Sequence, residues 1–157
     1  ITGLEVAARY QILPTLSLRG NYTYTDSEQK SGTDKGYPLT NMAKHMANLT
    51  LDWRALPKLN TFLTAEYRSK RYRGFDSATG DRLYWKGYGV LHLGASYEIS
   101  KNLTITARVN NLLDKDFTSY RTTFADNGDG TYTPTYTDDY NNKDKARSFW
   151  LSLNARF

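Results

Sequence analysis

The sequence predicts an all-β chain whose antiparallel strands form part of a transmembrane β-barrel. Three observations favour this fold class. Seven segments alternate apolar and polar residues, the connections between them alternate in length, and aromatic residues mark both ends of the apolar face. The mean hydropathy of −0.68 is compatible with a membrane protein, because a barrel strand needs only every second residue to be apolar.

Composition narrows the classes of function. The chain has 157 residues, about the length of one domain, with 21 Lys and Arg against 16 Asp and Glu and a net charge of +5. It has no cysteine, which excludes a disulfide scaffold and a thiolate metal site. No run reaches the ~18 apolar residues of a transmembrane helix. No signal-peptide pattern opens the chain, so we expect mature or internal sequence.

The first four alternating segments span residues 3–12, 15–26, 43–54 and 58–72. In each segment one face is apolar and the opposite face is polar, as period-2 alternation requires of a strand. Their apolar faces carry Leu4, Val6, Ala8, Tyr10 and Ile12, then Leu16, Leu18, Gly20, Tyr22 and Tyr24, then Ala47, Leu49, Leu51 and Trp53, and finally Leu59, Leu63, Ala65 and Tyr67.

The last three segments, 86–99, 102–117 and the stretch that ends at Phe157, repeat the pattern. Their apolar faces carry Leu91, Leu93, Ala95, Tyr97 and Ile99, then Leu103, Ile105, Ala107 and Val109, and then Phe149, Leu151, Leu153 and Ala155. The polar faces of all seven segments hold many charges, which a dry core of this size cannot hold unpaired. A wet or plugged lumen can hold them. A soluble β-sandwich is the alternative, because one strand of either fold looks the same.

The connections give the sheet two different ends. Three of them, at 13–14, 55–57 and 100–102, are tight turns, whereas 27–42, 73–85 and 118–146 are long. Outer-membrane barrels have short turns on one side and long loops on the other. A soluble Greek key would scatter its long connections. We therefore expect extracellular long loops, with the short turns and the C-terminus in the periplasm.

Aromatic residues stand at both ends of the apolar face. The short-turn end carries Tyr10, Trp53, Tyr97 and Phe157, and the long-loop end carries Tyr22, Tyr24 and Tyr67. Amphipathic rings prefer the headgroup level of a bilayer, so two girdles around an aliphatic band indicate a membrane barrel.

Seven strands do not close a barrel of this kind, which has an even number of strands. Residue 1 would begin on the long-loop side and residue 157 would end on the short-turn side. Either one strand is missed or the chain is a fragment of a larger barrel. A hairpin hidden within 118–146 would add two strands and leave the count odd, which favours the fragment.

Three segments resemble one known family. Residues 110–117 read Asn-Asn-Leu-Leu-Asp-Lys-Asp-Phe, and residues 38–48 read Pro-Leu-Thr-Asn-Met-Ala-Lys-His-Met-Ala-Asn. The first resembles the N-L-F-D-K-x-[YF] signature of TonB-dependent outer-membrane receptors. The second is similar to their P-x-x-P-x-H-x-x-N pattern but lacks the second proline. Residues 147–157 look like the family's closing strand, whose terminal Phe, here Phe157, is the signal for barrel assembly.

The resemblance implies a 22-stranded barrel with a plugged lumen. Residues 1–157 would be the C-terminal part of that barrel, about its last seven strands, without the plug domain and the N-terminal strands. The family imports ferric siderophores, so the resemblance implies a bacterial outer-membrane location, a ferric siderophore as transported ligand and the TonB complex as partner. It implies no enzymatic activity and no covalently bound cofactor. Lipopolysaccharide, and bacteriocins or phage, are further partners that it suggests.

The residue pattern of segment 82–117 and of the final loop resembles that of catecholate, enterobactin-type receptors most closely. A ferric tris-catecholate is anionic and edged with rings, so Arg matches it by charge and stacking, and Tyr and Trp match it by stacking. The ligand-binding residues predicted on this basis are Arg71, Tyr72, Arg73, Arg82, Tyr84, Trp85, Tyr120, Arg121, Tyr132 and Tyr136. Pairing with lipopolysaccharide phosphates is an equal alternative for Arg71 and Arg73, and a lumen salt bridge is the alternative for Arg68.

Other sites and functions have weaker support. Residues 126–130 resemble the start of a calcium loop, but Thr137 stands where a Glu is needed, so a tight hairpin turn is favoured. Two histidines without a third ligand predict no zinc site. His92, Ser96 and Glu98 share a face, but residues two apart along one strand already lie ~7 Å apart at their Cα atoms, too far for a catalytic relay. The basic residues are dispersed, so no nucleic-acid partner is expected. The remaining alternative is a small complete outer-membrane barrel with a structural or adhesive role.

Overall fold

The computed structural model describes residues 1–76, 79–116, 120–138 and 146–156, and its regular elements are β-strands. Within these residues, no helix is long and apolar enough to cross a membrane. The strands are β1 (Thr2–Leu13), β2 (Leu16–Asp26), β3 (His45–Leu56), β4 (Leu59–Arg68), β5 (Arg71–Phe75), β6 (Arg82–Trp85), β7 (Tyr88–Ser100), β8 (Leu103–Asn110), β9 (Tyr120–Asp126), β10 (Tyr132–Asp138) and β11 (Ser148–Ala155).

Seven strands form one antiparallel sheet in the order β1-β2-β3-β4-β7-β8-β11. These are the seven segments that alternation predicts, so the predicted all-β, antiparallel class is confirmed. Every connection at one end of this sheet is a tight turn, as between Leu13 and Leu16. The connections 27–44, 69–87 and 111–147 lie at the opposite end, which we call the long-loop end.

The register keeps the apolar residues on one face of the sheet. One unbroken row crosses all seven strands through Tyr10, Leu18, Leu51, Leu63, Leu93, Val109 and Phe149. These side chains are not covered by a second layer of the described chain, and Phe149 keeps 73% of its surface exposed. A continuous apolar surface of this kind marks an interaction with lipid or with another apolar partner.

The polar face carries the charged residues and a network of cross-strand contacts. Arg19 pairs with Asp52 at 3.2 Å, and Nε2 of His92 lies 3.6 Å from a carboxylate oxygen of Glu66. The hydroxyl groups of Ser96 and Thr106 share a hydrogen bond of 2.9 Å. Cross-strand polar pairs of this kind stabilise adjacent strands while leaving the face hydrated.

Two hairpins extend from the long-loop end. The first pairs β5 with β6, and the second pairs β9 with β10. The second is the hairpin considered within 118–146. The first is missed by the sequence analysis, which extends the fourth strand to residue 72 and leaves 73–85 as a loop. The fourth strand ends instead at Arg68, and beyond it the backbone N–H of His45 donates to the side-chain hydroxyl of Ser69 at 3.0 Å rather than to a backbone carbonyl.

The predicted sixth strand, 102–117, is also too long, since β8 ends at Asn110. Asn111 follows with a left-handed φ of 48°, and Asp114 has a φ of 50°. The Asn111 side chain is buried and closes a turn, because Oδ1 accepts the N–H of Lys115 and Nδ2 donates to its carbonyl, both at 2.9 Å. A carboxylate oxygen of Asp114 accepts the N–H of Arg147 at 2.9 Å, which ties this turn to the approach to β11.

Candidate functional site

The best-defined cluster at the long-loop end forms where the β5–β6 hairpin meets the 27–44 loop. Ala43 and Arg71 pair as an isolated antiparallel bridge. Beside it, Asn41 donates its backbone N–H to the carbonyl of Tyr72 at 2.8 Å and accepts a hydrogen bond from Nη1 of Arg71 at 3.1 Å. These bonds join two long connections that are separate in the sequence, so the loop and the hairpin form one unit.

Four aromatic rings run in a row across this junction. Tyr37 of the loop stacks on Tyr72 and on Phe75, with both pairs of ring centroids 5.7 Å apart. Tyr72 then meets Tyr84 edge-on, with their centroids at 6.0 Å. Stacked and edge-to-face pairs at these distances each contribute about 0.5–1.5 kcal/mol beyond the area they bury. The row therefore holds the hairpin against the loop.

Two exposed cations lie on the faces of these rings. The guanidinium of Arg82 is 5.1 Å from the centroid of Tyr37, and the ammonium of Lys70 is 4.4 Å from the centroid of Tyr84. The ring quadrupole attracts a cation at such distances. We call the full set the ring-and-cation cluster: Tyr37, Lys70, Arg71, Tyr72, Phe75, Arg82, Tyr84 and Trp85.

The floor of the cluster is buried. Arg71 is 8% exposed and its guanidinium lies 5.8 Å from the centroid of Trp85. Tyr72 is 2% exposed, and its hydroxyl is buried without a hydrogen-bond partner among the described residues. Burial raises the pKa of the Tyr72 phenol above its ordinary value, and the nearby charge of Asp34 adds to the rise. The buried ring of Tyr72 therefore supports the exposed residues of the cluster from below.

The structure brings together six of the predicted ligand-binding residues on the first hairpin. Arg82 and Tyr84 are exposed, Arg73 and Trp85 are half-buried, and the remaining two, Arg71 and Tyr72, form the floor. Direct ligand contact by any of them stays a prediction.

The other predicted ligand-binding residues lie on the second hairpin. Tyr132 begins β10 and is exposed. Tyr120, Arg121 and Tyr136 lie on the paired backbones of β9 and β10, and their side chains are outside the described part of the structure. Among the described strands, β9 and β10 pack only against each other, so this hairpin makes no contact with β5 or β6. Phe157 lies outside the described residues.

Three members of the ring-and-cation cluster, Tyr37, Lys70 and Phe75, are not among the residues predicted from the sequence. Lys70 lies in a stretch of four positive charges, Arg68, Lys70, Arg71 and Arg73, and charge alone does not single it out. Tyr37 lies between Gly36 and Pro38 in a polar loop, and a lone aromatic residue beside Gly and Pro is the signal that could have singled it out. Within 1–76, 79–116, 120–138 and 146–156, no group of three or more His, Asp or Glu could hold a metal ion.

Comparisons with known proteins fit this architecture. A family model described as "TonB dependent receptor-like, beta-barrel" matches residues 1–112. The iron-regulated outer membrane virulence protein of Vibrio cholerae is 31% identical over 155 residues, which are 99% of this chain and 21% of that protein. The ferric enterobactin receptor PirA of Pseudomonas aeruginosa is 28% identical over 162 residues, 100% of this chain and 20% of that protein.

Solved structures agree. A variant of the ferric enterobactin receptor PfeA from Pseudomonas aeruginosa is 26% identical, with a TM-score of 0.65 over 98% of this chain and 22% of that chain. The ferric citrate transporter FecA, at 19% identity, shares the fold with a TM-score of 0.72 over 99% of this chain and 24% of that chain. The chain spans about a fifth of the length of the curated relatives it matches.

Proposed function

Because this chain belongs to the TonB-dependent receptor family, as part of its β-barrel, we propose that the whole protein binds and imports a ferric siderophore through the bacterial outer membrane. Relatives named for iron regulation and for ferric enterobactin support this proposal. The family is one of transport receptors, which supports a role other than an enzyme. Energy for import would come from the TonB complex.

We propose a catecholate siderophore as the ligand, and the ring-and-cation cluster is the observation that carries this choice. A ferric tris-catecholate presents negative charge and the faces and edges of aromatic rings. Arg82 and Lys70 offer exposed positive charge, and Tyr84 offers an exposed ring beside them. A planar guanidinium can pair with anionic oxygens and also stack on a ring, so Arg82 suits both features of this ligand.

In the proposed orientation, the apolar face of the sheet contacts lipid and the polar face lines the lumen. The long-loop end then faces the exterior, and the short turns face the periplasm. Tyr22 and Tyr24 lie on the apolar face at the outer end, where the Tyr22 hydroxyl and Nδ1 of His45 share a hydrogen bond of 2.7 Å. Contact with lipopolysaccharide at this rim is part of the proposal. Use of the loops by bacteriocins or phage stays a prediction.

The test is a binding titration of the full-length receptor, using ferric enterobactin as the probe and tryptophan fluorescence quenching as the signal. We expect Arg82→Ala combined with Lys70→Ala to weaken binding at least tenfold, since hydrogen bonds to charged groups are worth about 1.5–3 kcal/mol each. Lys101→Ala, at the short-turn end, is the matched control and should leave the affinity unchanged. Arg71→Ala is a poor probe, because Arg71 is buried and holds Asn41.

Two results would contradict the proposal. A folded parental receptor that does not bind ferric enterobactin would refute the catecholate assignment. Equal affinities for the parental receptor and the Arg82→Ala, Lys70→Ala variant would show that the ligand binds elsewhere in the barrel.

A further inference from the structure

Tyr37 links the 27–44 loop to Arg82, an exposed cation of the β5–β6 hairpin. The ring of Tyr37 contacts Tyr72 and Phe75 of β5 and also Arg82 of β6. We infer that Tyr37 is a positioning residue for ligand binding, which holds Arg82 in the orientation that meets an anionic, ring-edged ligand. This inference deepens the proposed function and rests on it.

The backbone around Tyr37 is fixed by its own loop. Tyr37 donates its N–H to the carbonyl of Asp34 at 3.1 Å, and its carbonyl accepts the N–H of Gln29 at 2.8 Å. Gly36, with a left-handed φ of 87°, donates its N–H to the carbonyl of Gln29 at 2.9 Å. Leu39 donates to the hydroxyl of Ser27 at 3.1 Å. These hydrogen bonds form an ordered turn that fixes the position from which the Tyr37 side chain projects.

The ring is also held by the hairpin. Tyr37 is nearly parallel to Tyr72 and to Phe75, with interplanar angles of 22° and 26°. Tyr72 is buried, so this side of the stack cannot move without unpacking the cluster. Arg82 thus lies on a ring that is fixed by two separate connections.

An exposed arginine normally samples many rotamers, and binding a ligand costs the freedom of each side chain it immobilises. A guanidinium already resting on a fixed ring loses less of that freedom when the ligand arrives. Tyr37 therefore contributes to ligand affinity by preorganising the Arg82 side chain. It follows that the 27–44 loop and the β5–β6 hairpin should act as one binding unit.

The test measures ferric enterobactin affinity in the full-length receptor with variants at both positions. Tyr37→Leu removes the ring face but keeps an apolar side chain, and we expect about a twofold to fivefold loss, the range of an exposed cation–π contact. Tyr37→Phe keeps the ring and should bind within twofold of the parental receptor. Tyr37→Trp, which offers the strongest cation–π face, should bind at least as well as the parental receptor.

A double-mutant cycle separates positioning from simple packing. If Tyr37 acts through Arg82, adding Tyr37→Leu to Arg82→Ala should cause no further loss of affinity. Additive losses, or an unchanged affinity in Tyr37→Leu, would overturn the inference while leaving the proposed function intact. Should Tyr37→Leu fail to form a heat-modifiable barrel, a weakened Tyr37→Trp or Tyr37→Phe would overturn it. A folded parental receptor that does not bind the probe would refute the catecholate assignment and, with it, the inference.

Discussion

The ring of Phe62 in β4 fills the space that a side chain at Gly94 in β7 would need. The two residues are direct cross-strand partners on the polar face, and a β-carbon added to Gly94 would overlap the ring. The polar face therefore contains a packed aromatic residue at this level, and Gly94 is the residue that makes room for it.

We expect Gly94→Ala to destabilise the barrel by about 1–3 kcal/mol, the usual cost of overpacking a well-packed site. Urea unfolding of the purified full-length receptor measures the change. Phe62→Leu provides the matched control background. In that background Gly94→Ala should destabilise the barrel much less, because the ring that blocks the β-carbon is gone. Equal costs in both backgrounds would show that the ring is not the obstacle.

Asn111→Ala should destabilise the turn after β8 by about 1–3 kcal/mol, since two hydrogen bonds to the backbone of Lys115 are lost. Its left-handed φ of 48° adds strain for alanine. Asn111→Gly relieves that strain and still loses both bonds, so it separates the two causes. Protease accessibility of residues 111–116 is the measurement. Parental resistance in both variants would contradict the structural role of Asn111.

Tyr72→Phe should leave stability unchanged or raise it, because the buried hydroxyl has no hydrogen-bond partner among the described residues. The pH dependence has a definite sign. The pKa of Tyr72 is raised by burial, so its contribution to stability is present below pH 10.0 and is lost as the pH rises through the folded-state pKa. Urea unfolding at increasing alkaline pH should therefore show a smaller decline for Tyr72→Phe than for the parental receptor. An equal decline would contradict this assignment.

Removal of Phe157 should impair assembly, since the resemblance to outer-membrane receptors makes this residue the assembly signal. The yield of heat-modifiable barrel in outer-membrane extracts measures the effect. Phe157→Tyr keeps an aromatic C-terminus and should assemble better than the truncated chain. A normal yield without residue 157 would contradict the expectation.

The native polypeptide should migrate well above the 18.0 kDa of these 157 residues. Seven strands in 157 residues correspond to about 22 residues per strand with its connection, so 22 strands need roughly 490 residues, or about 56 kDa, before any plug. An immunoblot of outer-membrane extracts against this segment makes the measurement. A band near 18.0 kDa would instead favour the small complete barrel.

Most of the seven-stranded sheet could be predicted from the sequence. Alternation is a local property, so each strand reveals its apolar face without its neighbours, and the short turns set the register of β1 with β2, β3 with β4 and β7 with β8. The other three pairs are joined by long connections, and their register follows from keeping the apolar residues on one face of the sheet. The residues at which the strands end were harder to predict from the sequence. The backbone ladder of β4 stops after Arg68, where the N–H of His45 bonds to the hydroxyl of Ser69, a contact between distant residues that no local pattern contains.

The candidate site was predicted in part. Charge and ring content identified Arg82 and Tyr84 as exposed loop residues, and the structure places both at the surface. The same criteria also selected Arg71 and Tyr72, which the structure buries as the floor of the ring-and-cation cluster. Composition cannot separate these two groups, because burial depends on which loop packs over the hairpin.

The fold class, the two faces of the sheet and the end that carries the long loops could all be predicted from the sequence, because each follows from short-range periodicity or from connection length. The contact between Tyr37 and Arg82 could not be predicted and is known from the structure alone. These residues belong to different connections, and the bridge between Ala43 and Arg71 brings those connections together. A contact of this kind depends on the register of β2, β3 and β4, which is a property of the assembled sheet.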